Sequence, residues 1–186
     1  MKRTEGLFSH NPVFVAGMSV TPAVAVSATF DGAYTYAVIF SALTFISLMT
    51  ASFLPRSIPY ALRVILYSFI AAIFYIPVYI SLSDRLPALA GLGVLLPMIA
   101  TDEFVVSASE TRFFRKKRSE MITDVIFHIL GFDIAVILLG IIREVLSSGE
   151  LAGNIVGVSP ILPLLSSPCG GFILIGLFAA LVRKLC

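Results

Sequence analysis

Five side chains titrate or bind cations and lie within or beside long apolar stretches: Asp102, Glu103, Asp124, His128 and Asp133. Carboxylate oxygens suit H⁺, Na⁺ or a hard divalent cation rather than the soft metals that thiolates select. Asp102 and Glu103 point about 100° apart on an intact helix, but a helix break just before them allows both to line one cavity. Adjacent carboxylates in a low dielectric resist losing both protons, which makes a proton or cation site the sharper reading. The plainer one puts both at the aqueous end of their segment, since a basic cluster begins nine residues after Glu103, at Arg112. Asp124 and His128 are four residues apart and share a helical face. An imidazole titrates near neutral pH, so His128 is either a proton relay or a satisfied core residue. Asp133 lies near the middle of its apolar stretch, where an exposed acid costs about 2.5–3.5 kcal/mol. It must therefore face protein or water, for ion handling or for a structural hydrogen bond.

The elements that position these groups follow from composition. Of 186 residues, 58% are apolar and 13% charged, with a mean hydropathy of +1.00. A soluble domain carries about a quarter charged residues, so much of this apolar surface must face lipid. Six segments of spanning length fit, at approximately 13–29, 34–54, 62–82, 88–107, 122–143 and 169–185. The expected fold is one all-α polytopic membrane domain over 1–186. The formal net charge of +2 excludes a strongly basic nucleic-acid binder. Cys169 and Cys186 stand in no CxxC or Cys/His spacing, so no disulfide framework or zinc site is expected. No short apolar core with a small-residue cleavage site opens the chain, and the first apolar segment is read as retained.

Basic residues are kept on the cytoplasmic side of a membrane. Lys2, Arg3, Arg56, Arg63, Arg112, Arg115, Lys116, Lys117, Arg118, Arg183 and Lys184 make up eleven of the thirteen, and six spans with both termini cytoplasmic place them together. Only Arg85 and Arg143 fall on the opposite side. The expected location is a bacterial-type cytoplasmic (inner) membrane. The Gly-, Ser- and Pro-rich stretch 147–168 reads equally as a loop folding back against the membrane or as a surface loop.

An internal repeat adds to this. Pro12 and Pro22 bracket the first span, Pro87 and Pro97 the fourth, both pairs ten residues apart, with Gly17 inside one and Gly91 and Gly93 inside the other. A proline deep in a helix removes a hydrogen bond, so Pro22 and Pro97 are expected to break spans one and four. Six spans then divide into two inverted three-helix repeats, about 11–83 and 86–186, each led by a broken helix. That pattern marks a site built where the halves meet at the membrane midplane.

The stretches NPVFVAGMSVTPAVAVSAT, LGVLLPMIATDE, LGFDIAVILLGIIREVLSSG and GGFILIGLFAAL resemble the paired six-span membrane subunits of the Rnf and Nqr complexes. These couple electron flow between ferredoxin, NADH or quinone to Na⁺ or H⁺ translocation. The resemblance implies a subunit partnered by other membrane subunits, either a paralogous six-helix sister or a second copy. It also implies an intramembrane [2Fe-2S] centre held by cysteines before the first-span proline and after the fourth-span proline. Those positions here are Thr21 and Glu103, with Asp102 where the family has Asn. Iron–sulfur clusters are held by thiolates and occasionally imidazole, so no such cofactor is expected in this chain. Arg143 and Glu144 match the family's Arg-Glu pair and are expected to close a helix end or to contact another subunit.

Three functions fit. The first is a divergent Rnf/Nqr-type subunit that contributes to ion movement or scaffold without ligating the cluster. The second is a stand-alone cation or solute transporter, channel-like, on the same inverted-repeat fold. The third is a purely structural membrane partner. No nucleophile–base pair, phosphate loop or flavin-attachment motif is present, so the chain is at most a non-catalytic subunit of a redox-driven translocase.

Overall fold

A computed structural model describes residues 11–15, 17–55, 57–102, 105–106, 114, 117–156, 160 and 162–185. Among them the helices are, in order, α1 (Val20–Val26), α2 (Phe30–Ala51), α3 (Tyr60–Ser83), α4 (Leu89–Leu92), α5 (Arg118–Ser148) and α6 (Pro168–Leu185). A small hairpin, β1 (Glu150–Leu151) with β2 (Asn154–Ile155), follows α5. Among the described residues three helices, α2, α3 and α5, are long and apolar enough to cross a membrane.

The centre of the molecule is α2. Thr29 starts it: the residue is extended, and its Oγ1 accepts a hydrogen bond from the Gly32 N–H at 3.2 Å. Asp31 stands in the first turn, where the positive end of the helix dipole favours an acid. Tyr36, Ile39, Phe40 and Leu43 are fully buried, as suits a helix enclosed by others. On one side lies α3 and on the other α5. The α2 and α5 helices run antiparallel: Phe30 meets Glu144, and the Phe40 and Phe132 rings stack with centroids 4.0 Å apart. Gly140 permits the contact, because a Cβ there would lie 2.7 Å from that of Ala33. By contrast, Leu62, Ile65, Phe69, Ile73, Ile76 and Ile80 recur every three or four residues along α3 and are all more than half exposed. They form a stripe suited to lipid.

Both the first and the fourth apolar segments are broken, but the prolines are not where they break. The left-handed residues are Gly17 (φ 69°) and Ser19 (φ 55°) ahead of α1, and Gly93 (φ 45°) after α4. Pro22 sits in the first turn of α1, and Pro97 opens a 3-10 turn at Pro97–Thr101. A proline at a helix start has no hydrogen bond to lose there, so it begins the second piece of each segment rather than ending the first. Glycine, lacking Cβ, supplies the reversal.

After α5, Gly149 (φ 76°) caps the helix with its N–H on the Val145 carbonyl at 3.0 Å. Ala152 and Gly153 both have positive φ and form the hairpin turn. The chain then folds back onto α5: Leu162 donates to the Leu146 carbonyl at 3.0 Å, and the turn Pro163–Ser166 buries Leu165. The hairpin itself stays outside, with Ile155 83% exposed.

Candidate functional site

The two breaks face each other. Before the first one, Asn11 holds the chain in a turn: its Oδ1 accepts from the backbone N–H of Val13 (2.9 Å) and Phe14 (3.1 Å). The Asn11 amide also donates to the Gly131 carbonyl on α5 at 2.8 Å, which pins that turn to the core. The left-handed backbone at Ser19, uncommon for a residue with a Cβ, aims its hydroxyl at the fourth segment. There Ser19 donates a hydrogen bond to the Asp102 carboxylate, whose residue is only 9% exposed. Between the breaks lies a cavity of about 260 Å³ lined by Gly17, Ser19, Val20, Thr21, Pro22, Met98, Thr101 and Asp102. Gly17, Thr21, Met98 and Thr101 are exposed, so the cavity opens on the surface of the chain. Tyr36 on α2 is fully buried, and its hydroxyl has no hydrogen-bond partner among the described residues.

The side chains around this cavity carry mainly oxygen donors, two Thr hydroxyls, one Ser hydroxyl and one carboxylate, beside the Met98 thioether and with no thiolate or imidazole. Cys169, the cysteine within the described residues, is exposed at the start of α6. An iron–sulfur cluster needs thiolates, so the described lining does not fit one, whereas it suits a proton or a hard cation.

Of the five titratable residues singled out in the sequence, the four that are described, Asp102, Asp124, His128 and Asp133, do not gather. Glu103 lies outside the described residues. Asp102 pairs with Ser19 across the two breaks. Asp124 and His128 form their own pair on α5: the His128 Nδ1–H donates to the Asp124 carbonyl at 2.8 Å, with the carboxylate 3.8 Å away. Asp133 accepts from Ser41 on α2. Among the described residues no group of three or more His, Cys, Asp or Glu could hold a metal. Asp124, His128 and Asp133 lie along α5, whereas Asp102 stands in the fourth segment.

Arg143 and Glu144 lock a different corner. Arg143, 1% exposed, donates through Nε to the Leu165 carbonyl (2.9 Å) and through Nη1 to the Val24 carbonyl (2.5 Å) and Ser27 Oγ (2.8 Å). Its Nη2 reaches the carbonyls of Ser166 (3.3 Å) and Ser167 (3.1 Å). One guanidinium thus ties carbonyls at the end of α1 to carbonyls just before α6 through its several N–H donors. Glu144 accepts from the Phe30 N–H at 2.6 Å at the start of α2. Gly171 admits the guanidinium, since a Cβ there would lie 3.0 Å from Arg143 Cζ. Both residues therefore make their observed contacts within this chain.

Sequence reasoning missed Ser19, Tyr36 and Ser41. The signal for Ser19 was the Gly-Met-Ser run ahead of a proline, where a left-handed turn presents a hydroxyl. Tyr36 and Ser41 carry no local signal, because their roles depend on residues that only the fold brings near.

A family model described as Rnf-Nqr subunit, membrane protein, matches residues 2–179. A component of the Na⁺-translocating ferredoxin:NAD⁺ oxidoreductase complex of Acetobacterium woodii is 28% identical over 184 residues, 97% of this chain and 93% of that protein. A component of the proton-translocating ferredoxin:NAD⁺ oxidoreductase complex of Clostridium ljungdahlii is also 28% identical, over 96% of this chain and 85% of its own length. A component of the Na⁺-translocating NADH-quinone reductase of Yersinia enterocolitica is 27% identical, over 79% of this chain and 71% of its own length. With the match running through both broken segments and the Arg143 corner, the chain belongs to the Rnf-Nqr family of membrane subunits.

Proposed function

We propose that this chain is a membrane subunit of an Rnf/Nqr-type ion-translocating electron-transport complex, and that it contributes an oxygen-lined proton or cation site rather than iron–sulfur ligands. The observation that carries the site is the Ser19–Asp102 contact between the two breaks, beside a cavity whose described side-chain donors are oxygen apart from the Met98 thioether. Two broken segments meeting at a polar cavity is the arrangement in which inverted repeats build ion sites. On this reading α2, α3 and α5 cross the membrane together with the two broken segments and α6, giving six spans with both termini cytoplasmic. The cavity opens on the surface, where a sister six-helix subunit, or a second copy, would complete it. The relatives named above are components of complexes, which favours this reading over a stand-alone transporter.

The test is to purify the chain from its native membrane with whatever accompanies it, identify the subunits by mass spectrometry, and measure redox-driven ion uptake in reconstituted vesicles. Co-purification with other membrane subunits, together with uptake that collapses in Asp102→Asn, is expected. A chain recovered alone would end the subunit reading. Full uptake by Asp102→Asn would end the site, and stoichiometric iron and sulfide ligated by this chain would reject the cofactor reading.

A further inference from the structure

The outer groove between α2 and α5 is a second, separate feature. Its cavity measures about 530 Å³ and is lined mostly by apolar side chains, with Tyr34, Ser41 and Asp133 as the polar ones, and there Ser41 donates to one oxygen of Asp133. The other Asp133 oxygen is buried and has no hydrogen-bond partner among the described residues. Ser41 and Asp133 each lie near the middle of a membrane-crossing helix, so the carboxylate sits about midway through the hydrocarbon. Headgroups do not reach that depth, and acyl chains carry no donor. Small residues, Ala37 and Ala42, form one wall and allow a third helix to approach closely, while Leu130 on the facing rim is 43% exposed.

We propose that this groove seats a transmembrane helix of a neighbouring subunit that presents a side-chain hydrogen-bond donor to the Asp133 carboxylate. The donor at mid-depth selects a helix over lipid, and the acceptor selects which helix and in what register. The inference rests on the subunit reading above and is independent of the Asp102 site.

A photoreactive amino acid at Val38 or Leu130, in the intact complex in its native membrane, tests it. Adducts are expected on one apolar segment of another subunit, with a donor-bearing residue within a helical turn of the attachment point. Asp133→Leu should lower adduct yield about tenfold, the equivalent of 1.4 kcal/mol. Asp133→Asn, which keeps an acceptor oxygen and controls for folding, should retain most of it. Adducts confined to lipid or to a second copy, or a yield unchanged in Asp133→Leu, would overturn the proposal while the co-purified complex left the subunit reading standing. Absence of the complex in the unmodified protein would remove both.

Discussion

Two buried charges in this molecule are housed in opposite ways. Arg143 is enclosed by carbonyls and a hydroxyl from two stretches of chain, Val24–Ser27 and Leu165–Ser167, all within hydrogen-bond distance. Asp102 is held by a serine in a left-handed backbone and borders an open cavity. A charge whose surroundings are filled by its own chain organises structure. One with space beside it is arranged to meet something else. The contrast sets a closed, architectural corner at Arg143 against an open junction at Asp102.

The largest effect should come from Arg143→Met. It removes the guanidinium donors from the carbonyls of Val24, Leu165, Ser166 and Ser167, and a loss on the order of 3–5 kcal/mol is expected, since each charge-assisted hydrogen bond lost from a buried acceptor costs about 1–3 kcal/mol. Thermal unfolding of the detergent-purified protein measures this, and a melting temperature equal to wild type would dissolve the contrast. Asp102→Asn should do the reverse, with unfolding shifted by less than about 1 kcal/mol. Ion uptake should nevertheless fall about tenfold or more, at least 1.4 kcal/mol of lost interaction. If stability fell as far as in Arg143→Met, the two charges would be of one kind.

Glycine variants sharpen the same comparison. At Gly171 a Cβ meets Val24 Cγ1 at 2.8 Å and Arg143 Cζ at 3.0 Å, so Gly171→Ala should cost roughly 1–3 kcal/mol through overpacking of the corner. At Gly93 nothing lies within 4 Å, and only the left-handed backbone resists a side chain. Gly93→Ala should therefore cost about 1–2 kcal/mol. Denaturation midpoints of the two variants, with uptake measured alongside, separate crowding from backbone strain; equal loss of uptake in both would argue against a special role for the fourth-segment break.

The parts of this fold that were legible in sequence were those encoded locally. Long apolar runs revealed α2, α3 and α5, and matched Pro and Gly spacing revealed that two segments are broken. The position of each break was less legible, since Pro22 and Pro97 mark the discontinuity while Gly17, Ser19 and Gly93 make it. A proline is easily read as a stop, yet its missing N–H is least costly at a start. Asp102 was found because a carboxylate in apolar sequence is conspicuous. Its partner Ser19 was not, being 83 positions away and chemically ordinary. Arg143 was noticed for its family match, but bonds that reach back to Val24 and forward to Ser167 have no signature in a linear pattern.

The Arg143 corner also determines where the molecule resists being pulled apart. It fastens the first two helices to the fifth and the last at one end, like a clasp at the spine of a book. Prising that end open would strip a cation of its oxygen cage in a poorly polar setting, whereas easing the pages at Ser19 and Asp102 enlarges a gap already there. Of the two seams, the spine is much the harder to separate.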